Sequence, residues 1–331
     1  MTESEWWFAL GSALGAWLLV GLVRWIALAY GVIDHPGDRS SHAVATPRGG
    51  GLGLLIAALG VWTWRASRSA TPSILLIVLG ASLVAFVGWL DDRRGLPVRT
   101  RLAVHVSSAL LIGWIAASGA EVGLLGVGLF VWWTFWTVSS VNLVNFMDGI
   151  NGLVASQVAV FALSLASFGP WGHPPSFYAI VLAAACIGFL PWNFPRARIF
   201  LGDVGSGGLG YLVPALALLV LQERGIDIVR AHLPLLPLFG DATVTIVRRW
   251  RRGERLTEAH RSHLYQRLAN GRLSHTAVTS IYAVVALLGV AAAHFGDPAT
   301  AWMWMLAYAA FTAALGLALD RFASSSNPEP V

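Results

Sequence analysis

Apolar residues run in long stretches along this chain, separated by short segments where arginine, aspartate, glycine and proline gather. A helix needs about 20 apolar residues to cross a bilayer. Eleven runs approach that length, at 7–29, 49–66, 73–90, 102–119, 123–144, 152–168, 175–192, 207–222, 232–248, 277–294 and 300–319. The pattern predicts an all-α, polytopic helical bundle within a membrane, with about 11 transmembrane helices in one domain over residues 1–331. Glu3 and Glu5 precede the first run in place of a basic segment, so it reads as a retained helix and not as a cleaved signal.

Composition agrees with that class. The chain is 56% hydrophobic and 12% charged, with a mean hydropathy of +0.66, which excludes an ordinary soluble domain. Its single cysteine, Cys186, lies inside a run and leaves no disulfide or thiolate metal site within one chain. Every one of the 22 basic residues is arginine. With the N-terminus outside, 17 of them fall in the segments 31–48, 91–101, 142–151, 193–206, 248–275 and 320–331. Four fall on the other side (Arg65, Arg68, Arg224 and Arg230). The positive-inside rule then predicts an outside N-terminus and a cytoplasmic C-terminus.

The polar segments of the predicted inner face carry the chemistry. Asp203 lies among Gly202, Gly205, Gly207 and Gly208, after Asn193 and Pro195 have stopped the helix before it. An acid on a glycine turn suits a hard cation that carries phosphate. Asp91 and Asp92 close the third run, where two carboxylates are costly unless they serve a function. Such a pair holds a proton or recruits a cation, with Arg93 and Arg94 as the alternative counter-charges. Asn142, Asn145 and Asp148 end the fifth run. No Lys or Arg shares that loop, so Asp148 asks for a metal or substrate cation unless it only caps the next helix.

Arg39, His42 and Arg48 in the first inner loop offer either phosphate contacts or membrane anchors. Asp241, inside the ninth run, reads as half of a buried pair with Arg248 or Arg249. The long loop that follows holds His260, Arg261, His263 and Arg267. If helical, it places His260, His263 and Arg267 on one face. A basic face opposite acidic loops suits a diphosphate, the alternative being an amphipathic helix on membrane lipid. There is no internal repeat, no Walker-type loop and no nucleic-acid module.

The ordered set resembles the polyprenyl-phosphate N-acetylhexosamine-1-phosphate transferases, the family that also holds the phospho-N-acetylmuramoyl-pentapeptide transferases. It comprises Pro47-Arg48-Gly49-Gly50, Asp91-Asp92, Asn142-x-x-Asn145-x-x-Asp148-Gly149-x-x-Gly152-Leu153, Asn193-x-Pro195, Phe200-Leu201-Gly202-Asp203-x-Gly205-Ser206 and Arg261-x-His263-Leu264. The resemblance implies a magnesium-dependent reaction on the cytoplasmic face of the inner membrane, with manganese as the alternative ion. Undecaprenyl phosphate would attack the sugar-bearing phosphorus of a UDP-N-acetylhexosamine or UDP-6-deoxy-N-acetylhexosamine. The products would be undecaprenyl-diphosphate-sugar and UMP, the first step of O-antigen or other surface polysaccharide synthesis.

Carried over by the same resemblance, Asp91 and Asp92 handle the lipid phosphate, while Asp203, with Asp148, holds the metal. Asp148, Asn145 and Asn193 lie at the nucleotide side, and Phe200 stacks on uracil. Arg48, His260, Arg261 and His263 bind diphosphate or sugar, with His263 counted among the catalytic residues beside Asp91, Asp92 and Asp148. A homodimer is left open. The chain lacks the triple-histidine run of the pentapeptide branch and has Tyr265-Gln266 where UDP-GlcNAc-using members show paired histidines. It also has Ser40-Ser41 where many relatives place a lysine. These departures resemble O-antigen-initiating members and point to a 6-deoxy sugar. The rival readings are a UDP-GlcNAc-specific wall-glycan enzyme and a multispan transporter. A transporter would carry its ionisable residues at mid-depth near broken helices.

Overall fold

The computed structural model describes residues 3–36, 44–120, 123–169, 173–255, 260–271, 273–295 and 300–324. Arg39, Ser40, Ser41 and His42 lie outside them. The first helix, α1 (Glu3–Ala29), is followed by two short antiparallel strands, β1 (Ile33–Asp34) and β2 (Thr46–Pro47), paired Ile33 to Pro47 and Asp34 to Thr46. The rest is helical: α2 (Gly51–Ser69), α3 (Pro72–Arg94), α4 (Val98–Ser118), α5 (Leu124–Phe146), α6 (Leu153–Ser167), α7 (Pro174–Asn193) and α8 (Gly202–Arg224). Then come α9 (Ile228–His232), a 3₁₀ turn at Leu233–Leu235, α10 (Leu236–Arg251), α11 (Leu264–Asn270), α12 (His275–Phe295) and α13 (Ala301–Ser324).

Each of the eleven apolar runs falls on helix, and the fold is that of a polytopic helical membrane protein. Eight of the described helices are long and apolar enough to cross a membrane. The other three runs form α2, α6 and α10. At 15 residues, α6 is about 22 Å long, short of the roughly 30 Å hydrocarbon layer. The ninth run is divided because Pro234 and Pro237 lack the amides that a continuous helix needs. Its second part, α10, carries Asp241 and three arginines, so it is amphipathic and not uniformly apolar.

Helix α8 occupies the centre, buried along most of its length and packed against α2, α3, α5, α6 and α7. The glycines expected to form a loop around Asp203 are instead its opening turns. They are small because other backbones cross there. A Cβ at Gly51 of α2 would collide with the backbone of Gly205, and one at Gly88 of α3 with the carbonyl of Asp203. Close crossing without side chains is how membrane helices pack. Here it seats the last turn of α3 on the first turn of α8, which brings the two acidic motifs together.

Candidate active site

The C-terminal ends of α3, α5 and α7 meet the N-terminal ends of α2, α8 and α11 at one end of the bundle. Asp92, the last acid of α3, accepts hydrogen bonds from the amides of Asp203 (3.1 Å) and Val204 (3.3 Å). A side chain from one helix thereby satisfies two of the orphan donors that open another. Asp91 accepts from the amide of Leu96 and from Nη1 of Arg101, and its carboxyl meets that of Asp203. The same Nη1 stands 3.4 Å from Asp203 Oδ2.

The counter-charge of Asp91 is therefore Arg101, and that of Asp92 is Arg48, not the adjoining Arg93 or Arg94; Arg93 lies over the ring of Trp89, 4.4 Å from its centroid. The signal for Arg101 lies in Gly95-Leu96-Pro97. Gly95 takes a positive φ of 62° and Pro97 immediately precedes α4, folding its first turn back against the end of α3.

Arg48 flanks the acids on the opposite side. It pairs with Asp34 at 2.7 Å and lies within reach of the charges of Asp92 and Asp203. A cavity of about 630 Å³ opens here, lined by Tyr30, Asp34, Arg48, Asp92 and Arg93 among others. That volume lies within the range of small-molecule sites, about 300–1,000 Å³. Asp148 sits just beyond α5, where the charges of Asp92 and Arg48 act on it. Burial, reinforced by Asp92 and opposed by Arg48, pushes its carboxyl up to about 7.

A carboxyl raised on folding favours the folded state below its unfolded pKa, and that contribution disappears as pH rises through the folded value. In chelator, Asp148→Asn should therefore melt above wild type at pH 8.5 and close to it at pH 4. Equal melting temperatures for the two proteins at both pH values would contradict the burial of this charge.

The two asparagines expected at the nucleotide side are engaged within the protein. Asn193 is buried, accepts from the amide of Gly152 and donates to the carbonyl of Ile199 at 2.9 Å. Asn145 accepts from the hydroxyl of Ser206 at 2.6 Å, tying α5 to α8. Both residues shape the site. Phe200 is half-buried at the start of α8, its backbone hydrogen-bonded to Pro47 and Gly50.

The basic loop is not one helix. Helix α11 starts at Leu264, so His263 precedes it and His260 lies outside it, their rings 4.9 Å apart. Burial, together with His263 and Arg249 and opposed by Glu254, pushes His260 down to about 4, leaving it neutral at pH 7. Arg261 is half-buried between them in sequence, while His263 is 2% exposed. One expectation fails here. Asp241 pairs with neither Arg248 nor Arg249; it takes the amides of Leu264 and Tyr265, while Arg249 turns to Glu254. Tyr265 presents no face to a sugar, being 1% exposed with its hydroxyl donated to the carbonyl of Phe146 at 3.1 Å.

The donor set suits a hard cation. Asp91, Asp92 and Asp203 supply carboxylate oxygens at one junction, though among the described residues no group of three or more His, Cys, Asp or Glu is spaced to hold an ion alone. Magnesium normally takes one or two carboxylates and completes its shell with water and substrate phosphate, so a partial protein site is what it requires. The carboxyls of Asp203 and Asp91 meet directly, whereas the charges that act on Asp148 are those of Asp92 and Arg48.

Residues 74–221 match the model of glycosyl transferase family 4. The chain is 30% identical to a decaprenyl-phosphate N-acetylglucosaminephosphotransferase of Mycolicibacterium smegmatis, over 89% of this chain and 84% of that one. It is 27% identical to a probable undecaprenyl-phosphate N-acetylglucosaminyl 1-phosphate transferase of Bacillus subtilis, over 88% and 85%. It is 36% identical to a phospho-N-acetylmuramoyl-pentapeptide-transferase of a Synechococcus species, over 85% and 88%.

Proposed function

The chain belongs to glycosyl transferase family 4, among the polyprenyl-phosphate N-acetylhexosamine-1-phosphate transferases, and we propose that it moves an N-acetylated sugar-1-phosphate from a UDP-sugar to undecaprenyl phosphate. The supporting observation is the convergence of Asp91, Asp92 and Asp203 between Arg101 and Arg48 at one end of a membrane bundle. An oxygen of the lipid phosphate forms a bond to the sugar-bearing phosphorus. The bond from that phosphorus to the oxygen bridging the two phosphates breaks, and UMP leaves. Asp91 and Asp92 face the lipid phosphate. Arg48, Arg261 and His263 bind the diphosphate, and Phe200 offers its ring to uracil. Asp203, with Asp91 beside it, would hold magnesium, and Asp148 is the further candidate ligand; the ion would supply positive charge to the phosphoryl oxygens. The site faces the cytoplasm at the inner membrane, a reading that the arginine distribution supports.

Purified chain with undecaprenyl phosphate, magnesium and a panel of UDP-sugars should release UMP only when lipid is present. No release from any donor would overturn the reading. A cytoplasm-active reporter fused after Val331 should be active; activity of a periplasmic reporter there would place the site on the other face.

The relatives named above take different sugars, and the burial of Tyr265 removes the direct argument for a 6-deoxy donor. Tyr265→His with Gln266→His should lower stability, because the hydroxyl bond to Phe146 is lost, without changing the order of preference among UDP-FucNAc, UDP-QuiNAc and UDP-GlcNAc. A reordered preference in kcat/KM would return these positions to the sugar pocket.

A further inference from the structure

Asp241 lies on α10, 23 residues before Leu264, yet its carboxylate is built into the start of α11. Its side chain is 3% exposed. Oδ1 accepts from the amide of Leu264 at 2.8 Å and Oδ2 from that of Tyr265 at 3.0 Å. The hydroxyls of Tyr282 (2.8 Å) and Thr245 (3.2 Å) also donate to it. Four donors from three other points of the chain meet this carboxylate, and among the described residues none of them is an arginine.

The residue immediately before those amides is His263. Its Nδ1 is buried and stands 3.8 Å from Asp241 Oδ1, while the imidazole also lies over the amide of Gln266 in a capping box whose other half is the bond from the amide of His263 to Gln266 Oε1 at 3.4 Å. The imidazole is held on its faces as well. It stacks on Tyr265 with centroids 5.7 Å apart and lies 6.3 Å from Phe146, the residue that ends α5 two positions before Asp148. With Nδ1 toward Asp241, the nitrogen left for a ligand is Nε2.

We propose that Asp241 is a positioning residue for the transfer, fixing the start of α11 and turning His263 so that Nε2 serves the substrate diphosphate. This rests on the transferase reading above. Asp241 touches no substrate itself; it acts through His263 as an orienting carboxylate acts on a catalytic imidazole. The pairing was invisible in the sequence because the two residues lie on different elements and the nearest candidates for Asp241 were its own helix's arginines.

The test is a double-mutant cycle on the full chain, with folding monitored by size-exclusion profile and melting temperature. Asp241→Asn and His263→Gln should each lower kcat/KM by about tenfold or more, and the double variant should fall little below the worse single one, since both remove one unit. Effects that multiply, or an Asp241→Asn enzyme equal to wild type, would overturn the proposal.

A second readout needs neither variant to be active. Selective ¹⁵N-histidine spectra of the wild-type chain, with His263 assigned by its loss in His263→Gln, should show a hydrogen-bonded Nδ1–H. A bare Nδ1 with the proton on Nε2 would overturn the pairing. If the wild type releases no UMP from any donor, the transferase reading fails, while the spectra still decide whether Asp241 orients His263.

Discussion

Asp203→Asn should lower the rate of UMP release by about a hundredfold or more, the usual scale for losing one preorganised electrostatic contact, and EDTA should abolish turnover. The substitution is informative because the fold around it is held by other atoms. The amide of residue 203 donates to Asp92, and that bond survives in Asp203→Asn. The carboxylate itself faces Asp91 and Nη1 of Arg101, so the change removes negative charge while keeping shape. A transferred phosphoryl group already carries negative charge, and three carboxylates around it would oppose the reaction unless a cation stood between them. Rates measured across a magnesium titration should show a weaker metal response in Asp203→Asn, with the melting temperature close to wild type. Full activity in EDTA would end the metal reading.

Much of this site was legible in the sequence, because membrane helices announce themselves by length and an acid at their ends is expensive enough to be noticed. Asp91 and Asp92 were found that way, Asp148 by the lack of a basic residue in its loop and Asp203 by the glycines around it, and the structure gathers the four at one end of the bundle. What stayed hidden were the partners. Arg93 and Arg94 adjoin the acids in sequence, but a helix turns its neighbours away from each other, and the arginine that meets Asp91 lies beyond a turn on α4. The glycines near Asp203 looked like a loop because glycine favours turns. In α8 they answer instead to the crossing of α2 and α3, which no local pattern records. Asp241 was misjudged for the same reason, since its partners lie on an element remote in sequence.

Asp91 and Asp92 are adjacent, yet their removal should have different consequences. Asp91 holds the amide of Leu96 in a half-buried turn and one nitrogen of Arg101, and water can replace both contacts. Asp91→Ala should therefore reduce activity by about a hundredfold while leaving the melting temperature near that of wild type. Asp92 instead caps α8, and the amide of Val204 that it accepts from belongs to a buried residue. In Asp92→Ala the amides of Asp203 and Val204 lose their acceptor, at about 1–3 kcal/mol for each buried donor left unsatisfied. A loss of that order should lower the melting temperature by several degrees and also release the start of α8, on which Asp203 is carried. Activity then falls further than with Asp91→Ala, because a displacement of about 1 Å at a reacting centre already costs about a hundredfold. The comparison needs both variants in one detergent, with melting curves and UMP release from the same preparations. If Asp92→Ala melts with wild type, or both alanines destabilise equally, the cap is not what Asp92 contributes and its role lies with the lipid phosphate alone.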